Sequence, residues 1–536
     1  MSRLNNLALA PPKAMSPSHA AGAVIQFAPP PVLEPGLPLG RCATAARQPL
    51  ELIILVRIQA PQPMIDCGYE HKIMNINAKI FRGFSVRGIV GVDFDTESIY
   101  KIGWATGEWF FRKELKKIVV GYDVRASSPE LHQAFCAGSV KAGLTVLDIG
   151  LVPTPVLNFA TDDYGADGGV MITASHNPAN YNGLKIRTSH TVFGDDLAQI
   201  YKIVVAGNLP ERNGEILQRA PIERYFVRLA EKAKFGRPLK VVVDAGNGAN
   251  GLFVPGFLRQ AGLDVIELFC DPDGNFPNRD PDPTSPKATE ILAQKVVEEK
   301  ADIGLAFDGD GDRVILVDER GKTVFGDEML MLIAGDALEK RQVDKVVYEV
   351  LCSHAVPDYI KSKGGTPIPA PSGYAFVHNA MLASGATLGG EMSGHFFLLD
   401  ETFRFDDAIL AACWVLSILA GQEQPLSAMV ARLPHYYSSR EYRLPCPDEL
   451  KGQVVEAVQR FFDQAGYSIE QIDCCSIALQ DAWALVRQSN TQPVLSLRFE
   501  SKISQAYMWG IKQEVLSFVQ KEYLSRGIPW PEIIED

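Results

Sequence analysis

Gly168-Gly169-Val170-Met171-Ile172-Thr173-Ala174-Ser175-His176-Asn177-Pro178 decides how this 536-residue chain is read. An apolar strand runs into a small polar loop with one serine at its tip. Gly, Asn and Pro force a turn there, and the turn is expected to expose the Ser175 hydroxyl. Lys185 follows ten residues later, in Asn182-Gly183-Leu184-Lys185. A hydroxyl held on a strand-end loop near a cation suits a nucleophile or a phosphate carrier. An ordinary turn with an exposed serine accounts for the same residues equally well, so the rest of the chain has to decide.

Outward from this loop the chain is regular from Ile80, and a pattern repeats. Lys117-Ile118-Val119-Val120 reads as a strand, 129–141 as a helix closed by Gly143, and Thr145–Ile149 as a second strand; the strand carrying Ser175 is the third. The order recurs in Lys240–Val243, a helix closed by Gly262, Asp264–Leu268 and Ile303–Phe307. It recurs again in Lys345–Tyr348, a helix closed near Gly365, Thr366–Ile368 and Thr387–Glu391. Glycine at each helix end suits a left-handed cap. Strands alternating with helices predict mixed or parallel sheets covered by helices. Each third strand empties into an unusual loop, at 173–178, 308–313 and 390–395, and ligands gather at such strand ends. After about Tyr437 the order changes to a helix, three strands and a final helix, which reads as a smaller α+β domain. The predicted fold class is therefore α/β: three similar domains of mixed sheet around a cleft (76–221, 222–324 and 325–436) and a C-terminal α+β domain (437–536).

Residues 1–75 stand apart. They are rich in Ala and Pro, lack sustained periodicity, and are expected to form a disordered extension. Two alternatives stay open: a transit-like segment, or sequence upstream of a start at Met64 or Met74. The net charge of −12 disfavours a nucleic-acid coat but not a basic pocket for an anionic substrate. The nine cysteines show no C-x-x-C spacing, so neither a zinc site nor a disulfide framework is expected, and reduced thiols in the cytoplasm are. The apolar run Leu52–Val56 is too short to span a bilayer.

Asp308-Gly309-Asp310-Gly311-Asp312-Arg313 alternates carboxylates with residues that let the chain curve. Three such charges repel unless a hard cation joins them, and oxygen donors suit Mg²⁺. A calcium EF-hand is the nearest decoy, because Glu319 falls at loop position 12; Arg313 stands where position 6 needs Gly, and both flanks read as strands. A solvated acidic turn is the plainer alternative. Gly246-Asn247-Gly248-Ala249-Asn250-Gly251, with Glu267 ending the next strand, matches a dinucleotide fingerprint formally, and a tight strand-to-helix turn explains it more simply. In Gly390-Glu391-Met392-Ser393-Gly394-His395, Glu391 and Ser393 alternate and can face one sugar together. Arg487-Gln488-Ser489-Asn490-Thr491 suits a phosphate, or is a polar hairpin turn.

Together and in this order, the four loops resemble those of the α-D-phosphohexomutase family, from about Ile80 to the C-terminus, and most resemble its bacterial phosphomannomutase/phosphoglucomutase branch. Phosphoglucosamine mutase, which typically has Gly where Asn490 stands, is the alternative branch. The resemblance implies four domains around one cleft and interconversion of hexose 1- and 6-phosphates through a phosphoserine and a bisphosphorylated sugar. It implies Ser175 as the phosphoserine, its phosphate oxygen joining Asp308, Asp310 and Asp312 as ligands of Mg²⁺, and Arg313 supporting their loop. Arg87 and Lys185 would flank the transferring phosphoryl group, with His176 as its neighbour. Lys185 and His395 would be the candidates for proton transfer, and cationic surroundings would lower the Lys185 pKa. Glu391, Ser393 and Tyr374 would meet the sugar, and Arg487, Ser489, Asn490 and Thr491 the phosphate that does not react. A hexose 1,6-bisphosphate would act as activator. The substrates would be phosphohexoses, with no nucleic-acid or membrane partner and a monomeric state.

The sequence departs from the family pattern at four places. Ser85 stands where Asp is usual, Leu351 where a ligand-binding Lys is common, Pro371-Ser372-Gly373-Tyr374 in place of Lys-Thr-Gly-His, and Gln492 in place of Glu. Losing a charge-assisted hydrogen bond costs about 1.5–3 kcal/mol. An intact phosphotransfer centre with a weakened or shifted sugar preference is expected, and a sugar-phosphate-binding homologue without turnover is the alternative.

Overall fold

The computed structural model describes residues 76–285, 287–470, 472, 475–479, 481–489 and 493–531. The extension read at 1–75 lies outside them.

Three sheets repeat one topology. In the first, Lys117–Tyr122 lies between Thr145–Leu151 and Gly168–Ile172, parallel to both, and Gly168–Ile172 turns back antiparallel into Tyr181–Arg187. The second places Lys240–Asp244 between Asp264–Leu268 and Ile303–Phe307, whose antiparallel return is Val314–Asp318. The third places Lys345–Glu349 between Thr366–Ala370 and Leu388–Gly390, returning through Phe396–Leu398. The strands are runs of Val, Ile and Leu, as sheets covered on both faces require. All three unusual loops are therefore the same structural object, the hairpin between the third and fourth strand. Left-handed glycines close the first two helices as expected, Gly143 at φ 96° and Gly262 at φ 91°; in the third the left-handed residue is Gly364 (φ 80°), one residue before the expected position.

One helix ties the three sheets together. Ala408–Ala420 is apolar on every side, which only a buried helix tolerates, and its core residues join one cluster with residues of all three sheets. Asp407 caps it by accepting hydrogen bonds from the Ile409 and Leu410 amides, and Tyr225 donates to both Asp407 oxygens at 3.0 and 2.9 Å.

The C-terminal part is an antiparallel sheet centred on Ala482–Gln488 and Val494–Ser501, backed by the helices Asp448–Gln464 and Gln505–Ser525. Alternate residues along the edge facing the third sheet's layer anchor it. Arg498 pairs with Asp327 at 3.2 Å and donates to the Leu351 carbonyl, Glu500 accepts from the His354 amide at 2.8 Å, and Lys502 pairs with Asp358 at 2.7 Å. Among the described residues no helix is long and apolar enough to cross a membrane.

Candidate active site

Ser175 follows the strand Gly168–Ile172 and sits at φ 49°, a left-handed conformation that costs a non-glycine residue of order 1–3 kcal/mol. Arg125 holds the loop in that shape. Its guanidinium donates to the carbonyls of Ser175 (2.7 Å), Asn177 (2.6 Å), Pro178 (2.6 Å) and Tyr181 (3.0 Å), while Asp123 takes its Nε at 3.2 Å. The expectation of an exposed hydroxyl is corrected here: Ser175 is 1% exposed, because the acidic loop closes over it. The Oγ donates to Asp308 Oδ2 at 2.9 Å and lies 3.3 Å from His176 Nδ1. Gly309 makes this approach possible, since a Cβ there would stand 2.8 Å from the Ser175 carbonyl oxygen.

The acidic loop is the hairpin between Ile303–Phe307 and Val314–Asp318, with strands on both sides. That geometry excludes an EF-hand, and Glu319 is turned away to accept from the Ser427 amide at 3.1 Å. Asp308 Oδ1 accepts from the amides of Gly311, Asp312 and Arg313, which curls the loop around its first carboxylate. Asp308, Asp310 and Asp312 converge with ligand atoms within 4.8 Å of one another. Burial and the charges of Asp312 and Asp310 push the Asp308 carboxyl well above the carboxylate range. Burial pushes Asp310 the same way, but the Lys185 charge and hydrogen bonds from Lys185 and Thr154 hold it below that range. The buried Oδ1 atoms of Asp310 and Asp312 have no hydrogen-bond partner among the described residues. Crowded carboxylates with unpartnered oxygens are a donor set that fits a hard divalent cation.

A second grouping, Asp312, His395 and Asp406, also lies within 4.8 Å, but it lacks the lone pairs. Arg313 Nε can only donate, and it does so to His395 Nε2 at 2.8 Å; His395 Nδ1, 2.8 Å from Asp406, therefore carries the proton.

Lys185 faces the same carboxylates from the strand Tyr181–Arg187. Its Nζ is 2.7 Å from Asp310 Oδ2 and also binds Asp312 Oδ2. The expected lowering of its pKa is corrected: burial acts in that direction, but Asp310 and Asp312 outweigh it and raise the pKa. Arg87 is 8% exposed and donates to Asn177 Oδ1 at 2.8 Å; burial brings its pKa down to about 10 against the pull of Asp310. His176 is held well below the ordinary histidine range by burial and by the charges of Arg313, Arg87, Arg443 and Lys185. Arg443, from the C-terminal sheet, and Arg125 were not singled out by sequence reasoning, which had no spacing or motif to mark them.

On the sugar side, Glu391 accepts from the Gly373 amide (3.0 Å) and from the Ser393 hydroxyl (2.9 Å). Tyr374 lays its ring on His395, centroids 5.5 Å apart and planes 29° from parallel, and its hydroxyl donates to the Phe84 carbonyl at 3.4 Å. Glu349, another residue that sequence reasoning missed, accepts from the Met392 amide at 3.2 Å; burial and the Glu391 charge push its pKa up to about 8, against the nearby Arg487. Arg487 is buried, and the Ser489 carbonyl accepts from Lys451 at 2.6 Å. Asn490, Thr491 and Gln492 lie outside the described residues.

Comparison with known proteins agrees with this layout. Profiles described as phosphoglucomutase/phosphomannomutase alpha/beta/alpha domains I, II and III match residues 78–209, 223–321 and 325–437, and the C-terminal domain of the same family matches 441–517. The chain belongs to the phosphoglucomutase/phosphomannomutase family. It is 40% identical over 427 residues to a phosphomannomutase/phosphoglucomutase of Pseudomonas putida, covering 79% of this chain and 91% of that protein. It is 35% identical over 462 residues to a phosphoglucomutase of Neisseria meningitidis serogroup A, covering 85% and 99%. Among solved structures, a phosphoglucomutase/phosphomannomutase family protein of Burkholderia thailandensis superposes with a TM-score of 0.79 at 34% identity, covering 85% of this chain and all of that one.

One sequence reading changes here, that of Leu351, while the plainer reading of 246–251 as a tight turn is kept. Leu351 is not a sugar-facing replacement for a lysine: it is 6% exposed and packs with Trp483 and Leu485 of the C-terminal sheet. The glycine-rich stretch 246–251 is filled by its own chain rather than by a pyrophosphate. A Cβ on Gly251 would stand 2.1 Å from the Cys270 carbonyl oxygen and one on Gly246 2.6 Å from the Arg279 guanidinium, while Asn250 donates to the Gly311 carbonyl at 3.2 Å. In this family member the stretch braces the acidic loop, and Glu267 pairs with Arg259 instead of a ribose.

Proposed function

We propose that this protein interconverts hexose 1-phosphates and hexose 6-phosphates, of mannose, glucose or both, with Ser175 as the group that carries the phosphoryl in transit. The observation that carries this reading is the meeting of Ser175 with Asp308 at 2.9 Å, next to His176, on which the charges of Arg313, Arg87, Arg443 and Lys185 act together. Phosphorylated Ser175 would donate to a sugar phosphate, and the bisphosphorylated sugar would turn over and return its other phosphate to the serine. Positioning and charge neutralisation do most of the work in such transfers. Arg87 and Lys185 neutralise the migrating phosphoryl group, and Arg125 keeps the serine loop in its strained shape. Glu391 and Ser393 orient the sugar hydroxyls, and Arg487 with the loop after it holds the idle phosphate. Asp308, Asp310 and Asp312 would hold Mg²⁺, which supplies further charge neutralisation at the serine oxygen. A hexose 1,6-bisphosphate would prime the serine.

We place the domain limits at 76–221, 222–324, 325–436 and 437–536; among the described residues no sheet is shared between them. A monomer in the cytoplasm, without nucleic-acid or membrane partners, is the working expectation. The test is a coupled assay on mannose 1-phosphate and glucose 1-phosphate, primed with glucose 1,6-bisphosphate. No turnover of any hexose or hexosamine phosphate by folded, phosphorylated protein would refute the reading.

A further inference from the structure

His395 has no free nitrogen. Arg313 Nε occupies its Nε2 at 2.8 Å, Asp406 occupies its Nδ1 at 2.8 Å, and the Tyr374 ring covers its face. Each partner is itself fixed. Asp406 bridges antiparallel to Phe397 on the strand that follows His395, and the next residue, Asp407, donates its amide to the Phe396 carbonyl at 2.9 Å while capping the central helix. The carboxylate of Asp406 thus sits between a β-bridge and a capped buried helix, two elements that do not yield independently. At the other end, Arg313 begins where the acidic loop ends, among the charges of Asp282, Asp308, Asp312 and Glu391. An arginine has three donor-bearing nitrogens, and spending Nε sideways on His395 fixes the plane in which the two terminal ones lie.

We propose that Asp406 is a positioning residue for the phosphotransfer site. Through His395 it sets the orientation of the Arg313 guanidinium beside Ser175, and His395 is a relay of that orientation rather than an acid–base group. The chain of reasoning is short. Asp406 can only accept from the imidazole, so it selects the Nδ1–H tautomer; that tautomer leaves a lone pair on Nε2; and that lone pair is the acceptor that Arg313 Nε needs. Removing the carboxylate leaves Nδ1 facing, among the described residues, only Asp312 Oδ1 at 3.7 Å, beyond hydrogen-bond distance, so the imidazole is free to present a hydrogen to Arg313, a donor facing a donor, and the guanidinium turns away. The inference rests on the phosphotransferase reading above.

Two comparisons test it. Glutamine at 395 can still accept from Arg313 but cannot shuttle a proton. His395→Gln is therefore expected to lose less kcat than His395→Ala, while His395→Ala and Asp406→Ala each lose about 10–100-fold with KM little changed, the usual size of an outer-shell effect. Arg313→Lys keeps the charge and loses Nε, so Asp406→Ala added to Arg313→Lys is expected to cost nothing further. If His395→Gln is as inactive as His395→Ala and free imidazole rescues both, His395 is an acid–base group and the proposal is wrong. If the losses from Asp406→Ala and Arg313→Lys multiply, it is wrong as well. The 395 pair stands even if Asp406→Ala does not fold. Wild-type protein that turns over no sugar phosphate would sink the parent reading instead, and the same comparisons could then be read from Ser175 phosphorylation by glucose 1,6-bisphosphate, followed by intact mass.

Discussion

Replacing Lys185 with methionine separates the two things that the acidic loop needs. In the wild-type protein the ammonium binds Asp310 and Asp312 at once. The two carboxylates do not lose equally. Asp310 keeps hydrogen bonds from Thr154 at 2.8 Å and Thr173 at 3.2 Å, but Asp312 has no other side-chain hydrogen-bond partner among the described residues. The variant therefore leaves one buried carboxylate orphaned, not two, and breaking a buried pair in this way costs about 3–5 kcal/mol. For a cooperative unit of 150–250 residues each kcal/mol lowers Tm by about 2–4 °C, so Lys185→Met should melt about 6–20 °C below wild type in EDTA. A divalent cation at about 100 times its Kd returns about 2.7 kcal/mol. Because cation and ammonium draw on the same oxygens, Mg²⁺ should raise the variant's Tm more than the wild type's. Differential scanning fluorimetry in EDTA and in MgCl₂ measures both. A variant that melts within about 2 °C of wild type in EDTA, or that gains no more from Mg²⁺ than wild type does, would refute the shared-oxygen account.

Other expectations follow from single contacts. Intact mass should show one added phosphate after incubation with glucose 1,6-bisphosphate, and Ser175→Ala should show none; phosphate on the alanine variant would move the carrier elsewhere. Glu349, with its pKa pushed up to about 8 by burial and Glu391, carries its proton at neutral pH; above about pH 8 its new charge should repel an anionic sugar phosphate and raise the wild-type KM, whereas Glu349→Gln should keep the wild-type KM of pH 7 across that range. An alkaline limb that persists in the glutamine variant would count against this. His132 is buried, which alone would lower its pKa, but Cys136 and Asp148, the latter 3.0 Å away, raise it to about 10. A raised pKa stabilises fully below the unfolded value near 6.5 and ceases to do so as pH climbs through about 10, at up to about 1.4 kcal/mol per unit. The stability gap between wild type and His132→Gln, read from urea midpoints, should accordingly shrink across that window, and a constant gap would contradict it. Leu351→Lys buries a charge against Trp483 and Leu485 and should cost at least the 2–5 kcal/mol of a core truncation. Unchanged melting with faster sugar turnover would instead make position 351 a sugar contact.

Much of this could be read along the chain because it is local. The strand periodicity, the loops that interrupt it and the glycines that close the helices are all properties of short windows, and the three hairpins fall where those windows end. The pairing of Ser175 with Asp308 was legible only as chemistry, since a hydroxyl and a carboxylate cluster 133 residues apart carry no sign that they touch. What could not be read was direction. Leu351 sits at a strand end, and nothing in Val350-Leu351-Cys352 says whether it faces a sugar or the Trp483 ring. Lys185 lay near cations in the motif, yet the oxygens across the cleft set its charge. Arg125, Asp406 and Glu349 act through backbone groups and neighbouring side chains, and such roles leave no residue pattern to find.

The row Arg498, Glu500 and Lys502 bears on how this protein can be rebuilt. Its three side chains keep step with three separate partners, the Asp327 carboxylate, the His354 amide and the Asp358 carboxylate, at the two-residue repeat of a strand. A strand shifted by one residue would turn every tooth of that rack to the opposite face. The C-terminal domain is therefore not an interchangeable cassette. A chimera that borrows it from a relative must import the matching side chains at 327 and 358 and keep a backbone N–H at 354, or the phosphate loop will arrive at the cleft out of register.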